Sequence, residues 1–240
     1  MAEPVAMRIL VTRPQEDAEA TAELLAERRH EAIIAPLLEV KFREGDDISL
    51  DGIQAVLITS ANGARALAAR TSRRDIQILA VGPHSAECAH DAGFTDVEHA
   101  SGDATALADF VSAQYAPADG ALFHAAGADT TGYLVERLAT HGFTVKSVVL
   151  YDAIAVSALP EVARTALEQH SVDAVLIFSP RSARIFVECI KKAGLEEACR
   201  AVRAFCISQA AADALGTLAF QDVRVAAHPN QEELLELLHR

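Results

Sequence analysis

The chain has 240 residues and weighs 25.5 kDa, with 51% hydrophobic and 23% charged residues, a balance that suits one large or two modest globular domains and excludes wholesale disorder. No apolar run approaches the ~18–20 residues of a membrane helix, and MAEPVAMRIL has neither a basic start nor a long apolar stretch, so no secretory signal and a cytoplasmic location are expected. The net charge of −13 argues against a broad nucleic-acid-binding surface, while leaving room for a small basic site.

In chain order, apolar β-like runs fall near Arg8–Thr12, Ala32–Phe42, Ala55–Thr59, Ile78–Val81 and Asp96–His99, then again near Ala121–His124, Thr144–Val156, Ala174–Phe178, Ala204–Ile207 and Asp222–Ala226. Ala/Leu/Glu-rich segments of helical character separate them, including Gln15–Arg29, Asn62–Arg70 and Thr130–His141. Strands alternating with helices predict βα units and parallel sheets covered on both faces. The two sets resemble each other. IQAVLITSANGARAL (Ile53–Leu67) matches VDAVLIFSPRSARIF (Val172–Phe186), GFTDVEHAS (Gly93–Ser101) matches AFQDVRVAA (Ala219–Ala227), and ILVT (Ile9–Thr12) sits over ALFH (Ala121–His124). A repeat of roughly 110–125 residues is far too long for a solenoid unit and fits a duplicated α/β domain.

His30–Phe42 and Phe143–Val156 occupy equivalent places in the two halves, and both exceed the ~5–6 residues of an ordinary strand. Each is expected to leave one sheet for another, making a two-stranded link and a discontinuous first domain. Two sequential domains split near residue 118 fit the pattern equally well.

Ligands of open α/β sheets bind beyond the strand C-termini, where backbone N–H groups converge. The residues following these strands are Thr12 and Arg13; Thr59, Ser60 and Asn62; His84 and Ser85; Ser179, Arg181 and Ser182; and Ser208. Short hydroxyls and Asn are also preferred helix caps. Their repetition in both halves, aimed at one expected cleft, suits a ligand with many carboxylates. Arg13 and Arg181 stand where a guanidinium can reach such an anion, and Arg65 and Arg184 match one turn into the next helices. Tyr151, on the second long segment, carries a phenol able to donate a proton; packing of the link is its other reading. There is no HxxxH metal spacing, and GxGxxG, GxxxxGK[ST] and GxSxG are absent. Cys88, Cys189, Cys199 and Cys206 lack CxxC spacing and read as buried thiols of a reducing compartment. No metal role is assigned.

The order of RILVTRP, VLITSANG, LAVGPHSAECAHDAGF, VLYDA, DAVLIFSPRSA and FCISQAAADAL followed by VRVAAHPNQEELL resembles the uroporphyrinogen-III synthase family over essentially the whole chain. The resemblance implies two flavodoxin-like domains, with parallel sheets and helices on both faces, joined by a two-stranded β-ladder. The first domain then spans 1–37 and 155–240, the second 41–151, with linkers 38–40 and 152–154. Two departures stand out: the basic RGxxGR-type loop expected in the second repeat is HAAGADTTG here, and the GPTT-type turn is Ser208-Gln209-Ala210-Ala211.

That family closes hydroxymethylbilane to uroporphyrinogen III with loss of water and inversion of the last pyrrole ring, a step in haem, chlorophyll and cobalamin biosynthesis. The resemblance implies no cofactor, because the electron-rich pyrroles drive loss of the hydroxyl. It implies Tyr151 as the group facing the departing hydroxyl, and the residues after the strands as the hold on eight carboxylates. The expected partner is the small-molecule substrate, with neither nucleic acid nor membrane. A monomer is expected, with transient contact to the preceding pathway enzyme. A two-domain hinge protein that binds a small polyanion without chemistry is the alternative; a nucleotide-dependent oxidoreductase is weakened by the missing glycine fingerprint.

Overall fold

The computed structural model describes residues 6–100 and 102–239; Met1–Val5, over which part of the N-terminal reading ran, Ser101 at the end of GFTDVEHAS, and Arg240 lie outside the described residues. The chain is mixed α/β, with two sheets built mainly of parallel pairs and flanking helices. It divides into two compact units, one holding the described residues up to Glu39 and from Ile154 onward, the other Val40–Ala153.

The first unit contains β1 (Arg8–Val11), α1 (Gln15–Glu27) and β2 (Glu31–Ile34), then α6 (Glu161–Glu168), β9 (Ala174–Ile177), α7 (Pro180–Ala193), α8 (Glu196–Cys199), β10 (Arg203–Cys206), α9 (Gln209–Asp213), β11 (Asp222–Val225) and α10 (Gln231–Glu236). Its sheet runs β11-β10-β9-β1-β2 and every pair is parallel, with Leu10 opposite both Ile33 and Val175. The short aliphatic runs explain the central strands: side chains alternate between faces, so both faces need apolar cover. Leu10, Val175 and Ile177 pack with α6 and α7 residues such as Leu167 and Phe186, whereas Ile9, Val11 and Leu176 pack with Leu25 of α1 and Leu234 of α10. β1 pairs with β2 and β9.

The second unit contains β3 (Leu38–Phe42, its first two residues assigned to the other unit), β4 (Ile53–Ile58), α2 (Ala61–Ala68), β5 (Ile78–Ala80), α3 (Pro83–Asp91), β6 (Val97–His99), α4 (Ala104–Gln114), β7 (Ala121–Gly127), α5 (Tyr133–Thr140) and most of β8 (Val145–Ala155). The sheet order is β3-β8-β7-β4-β5-β6, with β8, β7, β4, β5 and β6 parallel in turn. Val56 and Ile58 face α2 and α3, packing with Leu67 and Ala89; Ala55 and Leu57 face α4 and α5, packing with Val111 and Leu138.

Two expected elements differ in extent. The run His30–Phe42 is interrupted at Ala35-Pro36-Leu37, and its two strands lie in different sheets. Pro36 has no N–H to give a ladder, so the strand stops there. β7 continues three residues past His124, because Ala125, Ala126 and Gly127 still pair with Val148, Val149 and Tyr151 of β8.

Candidate active site

Residues following the strands fall into two groups. Thr12, Arg13, Ser85 and Ser182 are buried, while Thr59, Ser60, Asn62, His84, Ser179, Arg181 and Ser208 are half-buried. Ser60, Ser179 and Ser208 cap α2, α7 and α9, each accepting the backbone N–H three residues on. The Ser182 hydroxyl lies 2.9 Å from that of Ser179. Asn62 Oδ1 accepts from Arg65 Nη1 at 3.1 Å, and Arg65 Nη2 lies 3.5 Å from Cys88 Sγ.

Thr12 and Arg13 are engaged within the first unit. Thr12 Oγ1 donates to the Leu176 carbonyl at 2.9 Å and ties β1 to β9. The Arg13 guanidinium stacks over the Phe178 ring at 4.4 Å, lies 3.4 Å from the Asp17 carboxylate, and donates to Thr21 and Gln231. A helix start places Asp17 one turn on from Arg13, and α10 brings Gln231 alongside. The side chains of Arg13 and Asp17 are only 10% and 7% exposed, so this ion pair is built into the first unit. Sequence order could not show it, since Gln231 and Phe178 arrive from the far end of the chain.

In the second unit the sheet brings together Tyr151, Gly127 and Ser60. Strand order places β7 between β8 and β4, so the Tyr151 side chain must cross β7 to reach the end of β4. It does so over Gly127, its register partner: a Cβ there would stand 2.6 Å from Tyr151 Cζ and 2.7 Å from its oxygen. The phenol oxygen lies 2.7 Å from Ser60 Oγ. The α2 N-terminus also sits hard on β7, since a Cβ at Gly63 would come within 2.9 Å of the Ala125 carbonyl oxygen. The missed residue is Gly127; a glycine ending an apolar strand was its sequence signal.

Beside this point, the ends of β7 and β8 and the start of α5 border a groove of about 320 Å³, lined by Ala126, Gly127, Ala128, Thr130, Gly132, Val135, Glu136, Ser147 and Val149. Under it His124 is completely buried; its Nδ1 lies 3.1 Å from Ser147 Oγ, and its Nε2 meets no partner among the described residues. Burial lowers its pKa to about 4. The unfolded chain takes up this proton near the ordinary value of 6.5 while the folded chain refuses it until about 4, so unfolded protein binds more protons in that window. Stability should therefore fall by about 3 kcal/mol as pH drops from roughly 6.5 to 4. Urea unfolding across this range should show a flatter profile in His124→Leu than in the parent; parallel profiles would assign the acid sensitivity elsewhere.

The other cysteines give no reactive centre: burial pushes the Cys199 and Cys206 thiols up to about 12 and raises Cys189. Among the described residues, no helix is long and apolar enough to cross a membrane.

Capped helix starts at the ends of parallel strands, with a phenol set across a glycine, mark a mixed α/β protein. The family model for uroporphyrinogen-III synthase HemD matches residues 19–236, and the chain belongs to that family. Over 57 residues it is 37% identical to a Methanocaldococcus jannaschii protein named "Putative uroporphyrinogen-III synthase", a match spanning 24% of each chain. Its fold is similar to uroporphyrinogen-III synthetase from Helicobacter pylori (TM-score 0.64, 16% identity, 96% of this chain and 97% of that one). It is also similar to a mutant uroporphyrinogen III synthase from Thermus thermophilus (TM-score 0.54, 19% identity, 98% and 96%).

Proposed function

We propose that this chain is a uroporphyrinogen-III synthase, closing hydroxymethylbilane to uroporphyrinogen III with loss of water and inversion of the last ring. The observation that carries the chemical reading is the Tyr151 phenol, held across Gly127 against Ser60 at the end of β4. The phenol gives its proton to the departing hydroxyl as the C–O bond breaks, releasing water and leaving an azafulvene cation. The substituted carbon of the terminal pyrrole attacks, a spiro intermediate forms, and fragmentation and reclosure reverse that ring. The proton lost by the closing pyrrole carbon restores the phenol, so the step balances as bilane to macrocycle plus water. The enzyme's contribution is mainly to hold a flexible chain in one conformer and keep water from the cation.

Eight carboxylates need donors despite the net charge of −13. The helix N-termini of α2, α3 and α7 supply backbone N–H groups. Thr59, Asn62, His84, Ser179, Arg181 and Ser208 supply side chains, and the buried Ser85 and Ser182 support the helix starts. Thr12 and Arg13 act through the fold of the first unit. The chain works as a cytoplasmic monomer of two flavodoxin-like units derived by duplication, spanning 1–37 with 155–240 and 41–151, with linkers 38–40 and 152–154 forming a two-stranded β-ladder.

The test is incubation with enzymatically generated hydroxymethylbilane and chromatographic separation of the isomers. The inverted type III isomer should accumulate faster than spontaneous closure delivers the type I isomer. Tight binding of the bilane with only type I product would establish the non-catalytic hinge protein instead.

A further inference from the structure

Ser60, Ser179 and Ser208 cap their helices with nearly the same backbone geometry: φ −161° and ψ 158°, −161° and 156°, and −156° and 161°. Their hydroxyl oxygens accept from Gly63, Ser182 and Ala211 N–H groups at 3.1, 3.0 and 3.3 Å. Capping alone therefore makes them equivalent. Ser179 also meets the Ser182 hydroxyl at 2.9 Å, but within its own helix start; what distinguishes Ser60 is that its second contact reaches another strand, 2.7 Å from the Tyr151 phenol oxygen. Residues on three neighbouring strands are arranged around that contact: Tyr151 on β8, Gly127 on β7 leaving room for the ring, and Ser60 after β4.

A serine hydroxyl has one proton and two lone pairs. One lone pair of Ser60 takes the Gly63 N–H at the positive end of α2. Accepting that bond withdraws charge from the oxygen, which weakens it as a further acceptor and strengthens its proton as a donor. We propose that Ser60 is a positioning residue for Tyr151: its hydroxyl donates to the phenol oxygen and turns the phenol's own proton away from α2, towards the departing hydroxyl. Gly63 N–H, Ser60 O–H and Tyr151 O–H then form one donor chain rooted in a helix N-terminus. As the phenol releases its proton, the same Ser60 bond stabilises the oxygen left behind, and it persists when the proton returns. This inference rests on Tyr151 being the proton donor of the reaction.

The test separates this role from capping. Glycine caps helices almost as well as serine, so Ser60→Gly removes the hydroxyl with little structural loss, and Ser60→Thr restores it. Each change is made alone and with Tyr151→Phe. Phenol ionisation is followed by ultraviolet absorbance, taking the difference against Tyr151→Phe to isolate this tyrosine from Tyr115 and Tyr133. Ser60→Gly should lower kcat roughly 3- to 10-fold, the loss of one hydrogen bond, with KM unchanged and ionisation of Tyr151 moved to higher pH. Ser60→Thr should recover both. In the Tyr151→Phe background, Ser60→Gly should cost nothing further in kcat, because the two act as a unit. Unchanged phenol ionisation in Ser60→Gly, or kcat losses that multiply in the double variant, would overturn the proposal. Full kcat in Tyr151→Phe, with ionisation still displaced in Ser60→Gly, would overturn the acid role of the phenol while upholding its coupling to Ser60.

Discussion

Arg13→Ala should cost about 3–5 kcal/mol of folding stability, the range for removing one partner of a buried ion pair. The Asp17 carboxylate, 7% exposed, would lose the guanidinium 3.4 Å away. The Phe178 ring would lose its stacked cation, and Gln231 its Arg13 contact from α1's side of the unit. The double variant Arg13→Ala/Asp17→Ala should be at least as stable as Arg13→Ala alone, because the carboxylate that faced the guanidinium is removed with it. Urea unfolding of the three proteins gives the answer. A loss below about 1 kcal/mol accompanied by a raised KM would instead return Arg13 to the anion-binding role its place after β1 suggests.

Tyr151→Phe should lower kcat by up to about 10²-fold while the product stays the inverted isomer. General-acid assistance contributes ~10²–10⁴-fold, and a substrate that ionises readily belongs at or below the low end. Phenylalanine keeps the ring over Gly127 and removes only the oxygen that meets Ser60, so folding stability should change little. Kinetics with chromatographic analysis of the isomers separates the outcomes. Full activity makes Tyr151 a packing residue, and release of the uninverted isomer makes it a guide of substrate conformation.

Much of the α/β organisation was legible in the sequence because it is local. The runs ILV, AVLI and IQAVLI need only their own residues to declare buried strands, and β1, β9 and β4 lie there. Ser60, Ser179 and Ser208 sit just before helices whose first N–H groups want an acceptor, and each caps one. Element ends were less legible: β7 runs on to Gly127 because β8 offers it partners, a condition outside its own sequence. Tyr151 stood out through its place on a long apolar segment and the family resemblance, without any sign of what it would touch.

By itself, the sequence determined alternation of strand and helix, capped turns after strands, and the candidate phenol, since periodicity and capping depend on residues within a few positions of one another. The tertiary structure decided which of the polar residues after strands are engaged in the fold. Arg13 stands in the sequence simply as a residue just after β1; α10 and the residue after β9 bring Gln231 and Phe178 against it. Ser60 and Tyr151, 91 residues apart, meet only because the order β8-β7-β4 sets a glycine between them. Which strand lies beside which is settled by how all the apolar faces can be covered at once, and that property belongs to no single segment.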